Sequence, residues 1–171
     1  TSWYNYTYSE FPVMGNGCCG WVYIYPDLGG NIWVAGFGTG LLKINGSNVE
    51  RFNDANSILR PFDTPGFVLV NGIDEDNSGN LWVLNNRVQN NFVNFTQGVG
   101  YPSPVGEPFG LHGTFLTIDN FNTKWVTLHP TEGSIRGVMY FNENTSPTGG
   151  LIPFSLLGTD VTQVNGVIVD K

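Results

Sequence analysis

Residues 24–34 read IYPDLGGNIWV, and residues 73–83 read IDEDNSGNLWV. Both fit I-x-x-D-x-x-G-N-[IL]-W-V without a gap. A third copy, LTIDNFNTKWV at 116–126, keeps Asp119, Trp125 and Val126 but carries Asn122 and Thr123 in place of Gly and Asn. A fourth opens at Val164, where VNGVIVD parallels VNGIDED at 70–76 and brings Asp170 into register with Asp76. The aspartates at 27, 76, 119 and 170 are 49, 43 and 51 residues apart. Self-similarity at this period marks a chain of stacked units, each burying its apolar face against a neighbour.

Each copy has the same internal logic. An apolar run forms a first strand, and D-x-x-G-N forms a hairpin turn. There the Asp carboxylate accepts backbone amides and Gly takes a positive φ. Trp33, Trp82 and Trp125 then sit on a second strand, where one large ring per unit can fill the space against the next unit. A row of sugar-stacking platforms is the alternative, but aromatics within alternating strands are mostly core. A second landmark, Trp3-x-x-Tyr6, Val49-x-x-Phe52, Phe92-x-x-Phe95 and Leu151-x-x-Phe154, precedes each Pro/Gly/Asn-rich stretch. Another short strand lies between landmarks, GTGLLKI at 38–44 and RGVMYF at 136–141. Four strands in roughly 40–50 residues is the size of a β-propeller blade.

The expected fold is therefore all-β. It is a β-propeller segment of three four-stranded blades, at 20–54, 68–96 and 113–156. Residues 1–7 read as the outer strand of a preceding blade and 163–171 as the first strand of a following one. A ring needs about four blades to close. The chain opens on Thr1 and closes on Lys171 just after an apolar segment, so it reads as a piece of a larger propeller, whose remainder would be its first partner.

Composition narrows the function classes. The 171 residues carry 12% charged and 14% aromatic side chains, which argues against disorder and against a coiled coil. A net charge of −7 with 7 Lys+Arg leaves no phosphate-neutralising patch for nucleic acid. No apolar run approaches the roughly 18–20 residues of a membrane-spanning helix, so no direct membrane insertion is expected.

Chemical motifs are sparse. Cys18 and Cys19 are adjacent, which disfavours a mutual disulfide, and they lack the paired spacing of a zinc site. They read as two thiols in a Gly-rich loop, or as a bridge to another part of a parent protein. Asp74, Asp76, Ser78 and Gly79 resemble the start of a calcium loop, but its twelfth position is Asn85, so a turn-stabilising role is favoured. His112 and His129 have no acid or nucleophile at a recognisable spacing. The loop acids Glu107 and Glu132 are the only hint of paired-carboxylate chemistry. Ser103, Ser134 and Ser155 lack a nucleophile-elbow context, and no helix follows Gly36-x-Gly38-x-Gly40 to hold a phosphate. The sequence therefore predicts no catalytic residue, no metal and no cofactor. The sequons at Asn5, Asn45, Asn94 and Asn144 are as many as chance supplies at this Asn, Ser and Thr content.

A binding surface is expected on the linkers at 7–21, 53–69, 96–114 and 142–162, which a propeller gathers at one end of its channel. Trp21, Arg60, Phe62, Tyr101 and His112 are the candidate ligand-binding residues. Asp27, Trp33, Asp76, Trp82, Asp119, Trp125 and Asp170 are the repeat's structural positions.

The I-x-x-D-x-x-G-N-[IL]-W-V pattern is followed by Gly38, Gly40, Leu41, Lys43 and Ile44 in a G-x-G-L-x-K-[IF] arrangement. The combination resembles the two-component regulator propeller repeat of Bacteroidetes-type bacteria. WYNYTYSEFP resembles the junction between such repeats, and GVMYFNENTSP a variant in surface propellers linked to type IX secretion. Departures are Asn122 and Lys124 in the third turn and Leu84-Asn85-Asn86 after the second Trp strand. The resemblance implies a non-enzymatic extracytoplasmic recognition or scaffold module, at the periplasm or cell surface, with a glycan or protein ligand. It would be either the sensing part of a hybrid two-component regulator or a type IX-linked surface protein. A propeller lyase or glycan-processing hydrolase, with His112 as its catalytic candidate, and a carbohydrate-binding lectin are the alternatives.

Overall fold

The computed structural model describes residues 5–14, 20–105, 112–129, 136–158, 164 and 166–169. It is an all-β chain of three consecutive four-stranded antiparallel meanders, the blades of a propeller segment. The first holds β1 (Trp21–Pro26), β2 (Ile32–Gly38), β3 (Gly40–Asn45) and β4 (Asn48–Phe52). The second holds β5 (Val68–Glu75), β6 (Leu81–Asn85), β7 (Phe92–Asn94) and β8 (Val99–Tyr101). The third holds β9 (Gly113–Ile118), β10 (Lys124–Leu128), β11 (Gly137–Phe141) and β12 (Gly149–Pro153), followed by a one-turn helix, α1 (Phe154–Leu157). Pairing of Phe37 with Leu69 and Gly38 with Val68 joins the end of β2 to the start of β5, linking the first two blades into one hydrogen-bonded sheet; the sheet of the third blade is separate.

Strand periodicity decides what fills the gaps between blades. Successive side chains point to opposite faces. On β6, Leu81 and Val83 therefore enter the core shared with the first blade, while Trp82 and Leu84 enter the core shared with the third. Trp33 from β2 lies in the first of these cores and Trp82 in the second. A smaller core on the other face of the first blade joins Val34, Leu42 and Ile44 to Tyr6, Met14 and Val49.

Close approach of blades needs small residues where inner strands meet. A Cβ on Gly72 would lie 2.5 Å from the Leu116 Cβ and 2.8 Å from its backbone nitrogen. Here β5 carries an irregularity between Val70 and Gly72. Asp74 then staples β5 to β9, accepting the Ile118 amide at 2.7 Å and the Thr117 hydroxyl at 3.2 Å. The inner strands converge enough for Tyr23 of the first blade to meet Phe115 of the third edge to face, at 5.7 Å.

Several boundaries differ from expectation. The second blade ends at Tyr101, not residue 96, because Phe92 lies on the third strand β7 and Phe95 in the turn after it. Residues 142–148 are the β11–β12 hairpin turn, so the connection leaving the third blade starts at α1. Among the described residues of the two expected flanking strands, 5–7, 164 and 166–169 form no strand. A strand exists only through ladder hydrogen bonds to a neighbour, and no strand pairing involves the described residues of these segments.

Candidate functional site

The repeat motif builds one device three times. Asp27, Asp76 and Asp119 each receive the indole N–H of the Trp six residues later, at 2.8, 2.9 and 2.8 Å. Each also receives the backbone N–H four residues later, at 2.7, 2.9 and 2.9 Å. The turn residue before that amide has a positive φ in every copy: 82° at Gly30, 76° at Gly79 and 62° at Asn122. Asn tolerates the left-handed region better than other side chains, so Asn122 keeps the turn intact. Burial pushes all three carboxyls up, but the hydrogen bonds from Trp, turn side chains and turn amides outweigh it and hold them below the ordinary value. These acids are engaged in the turn, and no cluster of three potential metal ligands occurs among the described residues. Asp170 lies outside the described residues, as do Cys18, Cys19, Glu107 and Glu132.

Departures from the repeat turn out to be links between blades. Lys124 replaces an apolar residue and is fully buried, its ammonium 3.8 Å from the Trp82 ring centroid and paired with Glu143. Burial lowers its pKa and Glu143 opposes that shift. Asn85 and Asn86 are both fully buried. Asn86 exchanges two hydrogen bonds with the Gly113 backbone, at 2.8 and 2.9 Å, imitating one rung of a sheet. Asn85 accepts the Arg60 amide at 2.6 Å and donates to the Arg60 and Leu69 carbonyls, both at 3.1 Å.

Those two asparagines anchor a cavity of about 410 Å³ where the 58–62 segment meets the β6–β7 turn. Arg60, Phe62, Arg87, Gln89, Asn90 and Val93 are among its lining residues. The Arg87 guanidinium lies 5.2 Å from the Phe62 ring centroid and donates to His112 Nδ1 at 3.0 Å. His112 stacks on His129, with centroids 4.7 Å apart and planes 10° from parallel. Burial first, then the charge of Arg87 and the proximity of His129, pull the His112 imidazole down to about 4. It is therefore neutral at neutral pH and can accept from Arg87, which only donates.

Of the five expected ligand-binding residues, the structure brings Arg60 and Phe62 to this cavity and His112 beside it. Trp21 opens β1, partly exposed, with its ring close over Gly36. Tyr101 lies in the inter-blade core, stacked on Trp82 at 5.5 Å, because β8 is the outer strand of its blade. Arg87 was not among the candidates. Its signal was the polar run Asn85-Asn86-Arg87 directly after a Trp strand, placing one of only 7 cationic residues in a turn.

No protein-family model matches the sequence, and comparison with curated proteins gives no match. A structural match is to PorZ of Porphyromonas gingivalis, described as an essential bacterial surface component of the type-IX secretion system. The TM-score is 0.59 at 20% identity, covering 80% of this chain and 20% of that one. The chain thus spans about a fifth of the length of PorZ, and the likeness is one of fold.

Proposed function

We propose that this chain is a recognition and scaffold segment of an extracytoplasmic bacterial propeller, working by binding rather than catalysis. The observation that carries the reading is the directional repeat of one inter-blade contact. Trp33 packs toward the second blade and Trp82 toward the third, while the equivalent clamp at Trp125 faces away from both. A further blade is the occupant that the same geometry would seat there. Such an array holds its connecting loops at one end on a rigid frame, the arrangement that suits recognition.

A surface role linked to type IX secretion is supported by the fold likeness to PorZ and by the repeat's resemblance to propellers of that system. The sensing part of a hybrid regulator remains the finer alternative within the same class. Tagging the chromosomal gene in its host and treating intact cells with protease tests the reading. Cleavage of the tagged protein without cell lysis is expected. Protection in intact cells together with recovery in the cytosolic fraction would overturn it. The lyase reading draws on neutral His112 beside Arg87, and it predicts eliminase activity on acidic polysaccharide that is lost in His112→Ala.

A further inference from the structure

We propose that this chain binds a second copy of itself front to rear, the first blade of one copy seating on the Trp125 face of the other. This rests on the reading above that a further blade belongs beside Trp125, and deepens it by naming the blade that fills the place when the chain is alone.

The two internal joints show what each side of a blade receives. Trp33 shares a core with Leu81 and meets Phe95 at 5.8 Å. Trp82 has the Lys124 ammonium over its ring and meets Phe141 at 6.4 Å. Leu81 and Lys124 each precede the Trp of their own blade, and Phe95 and Phe141 lie across the hairpin from them. The first blade carries the same receiving pair, Ile32 across from Ile44. Inner strands follow the same order. The residue three before the repeat Asp, Ile73 or Leu116, enters the joint with the preceding blade, and Ile24 holds that position in the first blade.

Exposure shows which halves of a joint stand open. Ile73 and Leu116 are 0% and 1% exposed, whereas Ile24 is 64% exposed. Leu81 and Lys124 are 4% and 0% exposed, whereas Ile32 is 38% exposed. Tyr6 and Met14 already pack on the Val34, Leu42 and Ile44 core, so the open part of the front is the patch around Ile24 and Ile32. At the rear, the half-buried Trp125 indole is held by Asp119 at 2.8 Å, and Phe121 beside it is 83% exposed. Both border a cavity of about 390 Å³ that Val167, Ile168 and Val169 also line.

Front and rear are thus the two halves of one contact, carried on the same molecule. A front-to-rear pairing sets the receiving side against a Trp ring, as both internal joints do. Front to front would oppose Ile24 and Ile32 to their own kind with no ring to fill the space. Rear to rear would oppose two indoles already anchored by their aspartates. A contact between different patches is heterologous and continues until it closes. Two copies bring six blades, within the roughly 4–8 at which propellers close.

Sedimentation velocity of the full chain tests the proposal at about 0.5 M salt, where repulsion between copies each carrying −7 is screened. Ile24→Lys spoils the front and Phe121→Lys the rear. Both positions are exposed, so each variant is expected to keep the wild-type circular dichroism spectrum. Wild type is expected to associate, and each variant alone to do so at least about tenfold more weakly, because every contact would then bury a lysine. An equimolar mixture of the two variants is expected to regain association as a one-to-one pair, the intact rear of Ile24→Lys meeting the intact front of Phe121→Lys. Self-association of Ile24→Lys alone would identify a rear-to-rear contact, and of Phe121→Lys alone a front-to-front contact; either overturns the proposal. So does a mixture that stays monomeric where wild type associates, or wild type that stays monomeric at about 1 mM. The protease test on cells reads surface display and not self-pairing, so failure of one reading is distinguishable from failure of the other.

Discussion

Trp82 and Trp125 occupy the same repeat position and make the same bond to the equivalent aspartate of their own copy, Asp76 and Asp119, yet their surroundings differ. Trp82 is 1% exposed, with Tyr101 stacked on it and the Lys124 ammonium over its ring. Trp125 is half-buried and meets Tyr140 at 5.7 Å. Trp82→Ala is therefore expected to cost about 3–5 kcal/mol in urea unfolding, as large core truncations do. Trp125→Ala is expected to cost about a third as much, because less of its surface leaves water on folding. Equal losses would show that the clamp, and not inter-blade packing, dominates. The clamp has its own signature in acid. A carboxyl held below its ordinary value contributes stability that is complete above the unfolded value, 3.8 for these aspartates, and is lost as pH falls through the folded value. Melting temperature should thus drop below about pH 4, and Asp76→Asn should flatten part of that drop while lowering stability at pH 7. An unchanged acid profile in Asp76→Asn would rule out the Asp76 clamp as a source of acid sensitivity.

At the scale of strands and turns, the β5–β9 contact and the β6–β7 turn decide how the second and third blades sit together. Gly72→Ala would press a methyl onto the Leu116 Cβ and backbone nitrogen, not onto the far end of a flexible side chain, and should cost about 1–3 kcal/mol. Wild-type stability in that variant would mean the two strands can separate freely. Next to the turn, His112 has a folded value of about 4 against an ordinary 6.5. The unfolded chain binds its proton first, so stability should decline as pH falls from 6.5 toward 4. His112→Gln should remove that part of the decline, read from melting temperatures across the same range.

The positions that sequence pattern located well are those where one local device repeats: the three Asp–Trp pairs, the two glycine turns and the four-strand count. It misplaced the second blade's outer strand because the β2–β3 connection is Thr39 alone, whereas β6 and β7 are separated by residues 86–91. Aromatic spacing therefore matched Phe95 to Phe52, although Tyr101 follows Trp82 by the same 19 positions that separate Phe52 from Trp33. Both of those pairs are in ring contact, at 5.5 and 5.9 Å. In the sequence Asn86, Arg87 and Lys124 are visible only as a polar run and a departure from the repeat; their roles depend on partners remote in the chain, Gly113, His112 and Trp82, which local pattern does not report.

Taken as a whole molecule, the three blades leave an apolar face at each side of the arc. On the first blade Ile24 is 64% exposed, with Val22 and Ile32 nearby on the same sheet. On the third, Phe121 is 83% exposed beside Trp125, and residues 167–169 lie along a cavity there of about 390 Å³. Contiguous apolar surface of this kind marks contact with another body, and further blades would cover both faces. The chain studied by itself should then associate through them, opposed by the mutual repulsion of its −7 charges. Raising salt to about 0.5 M shortens the screening length to a few ångströms and removes most of that opposition. Sedimentation velocity should accordingly show association that grows with both salt and protein concentration. Ile24→Lys together with Phe121→Lys should abolish it while leaving the melting temperature within about 1 °C, since neither side chain contributes to a core in the isolated chain. A chain that stays monomeric in high salt, with or without the two lysines, would show that these faces have no appetite for a partner, and the reading of the arc as part of a longer propeller would lose its physical basis.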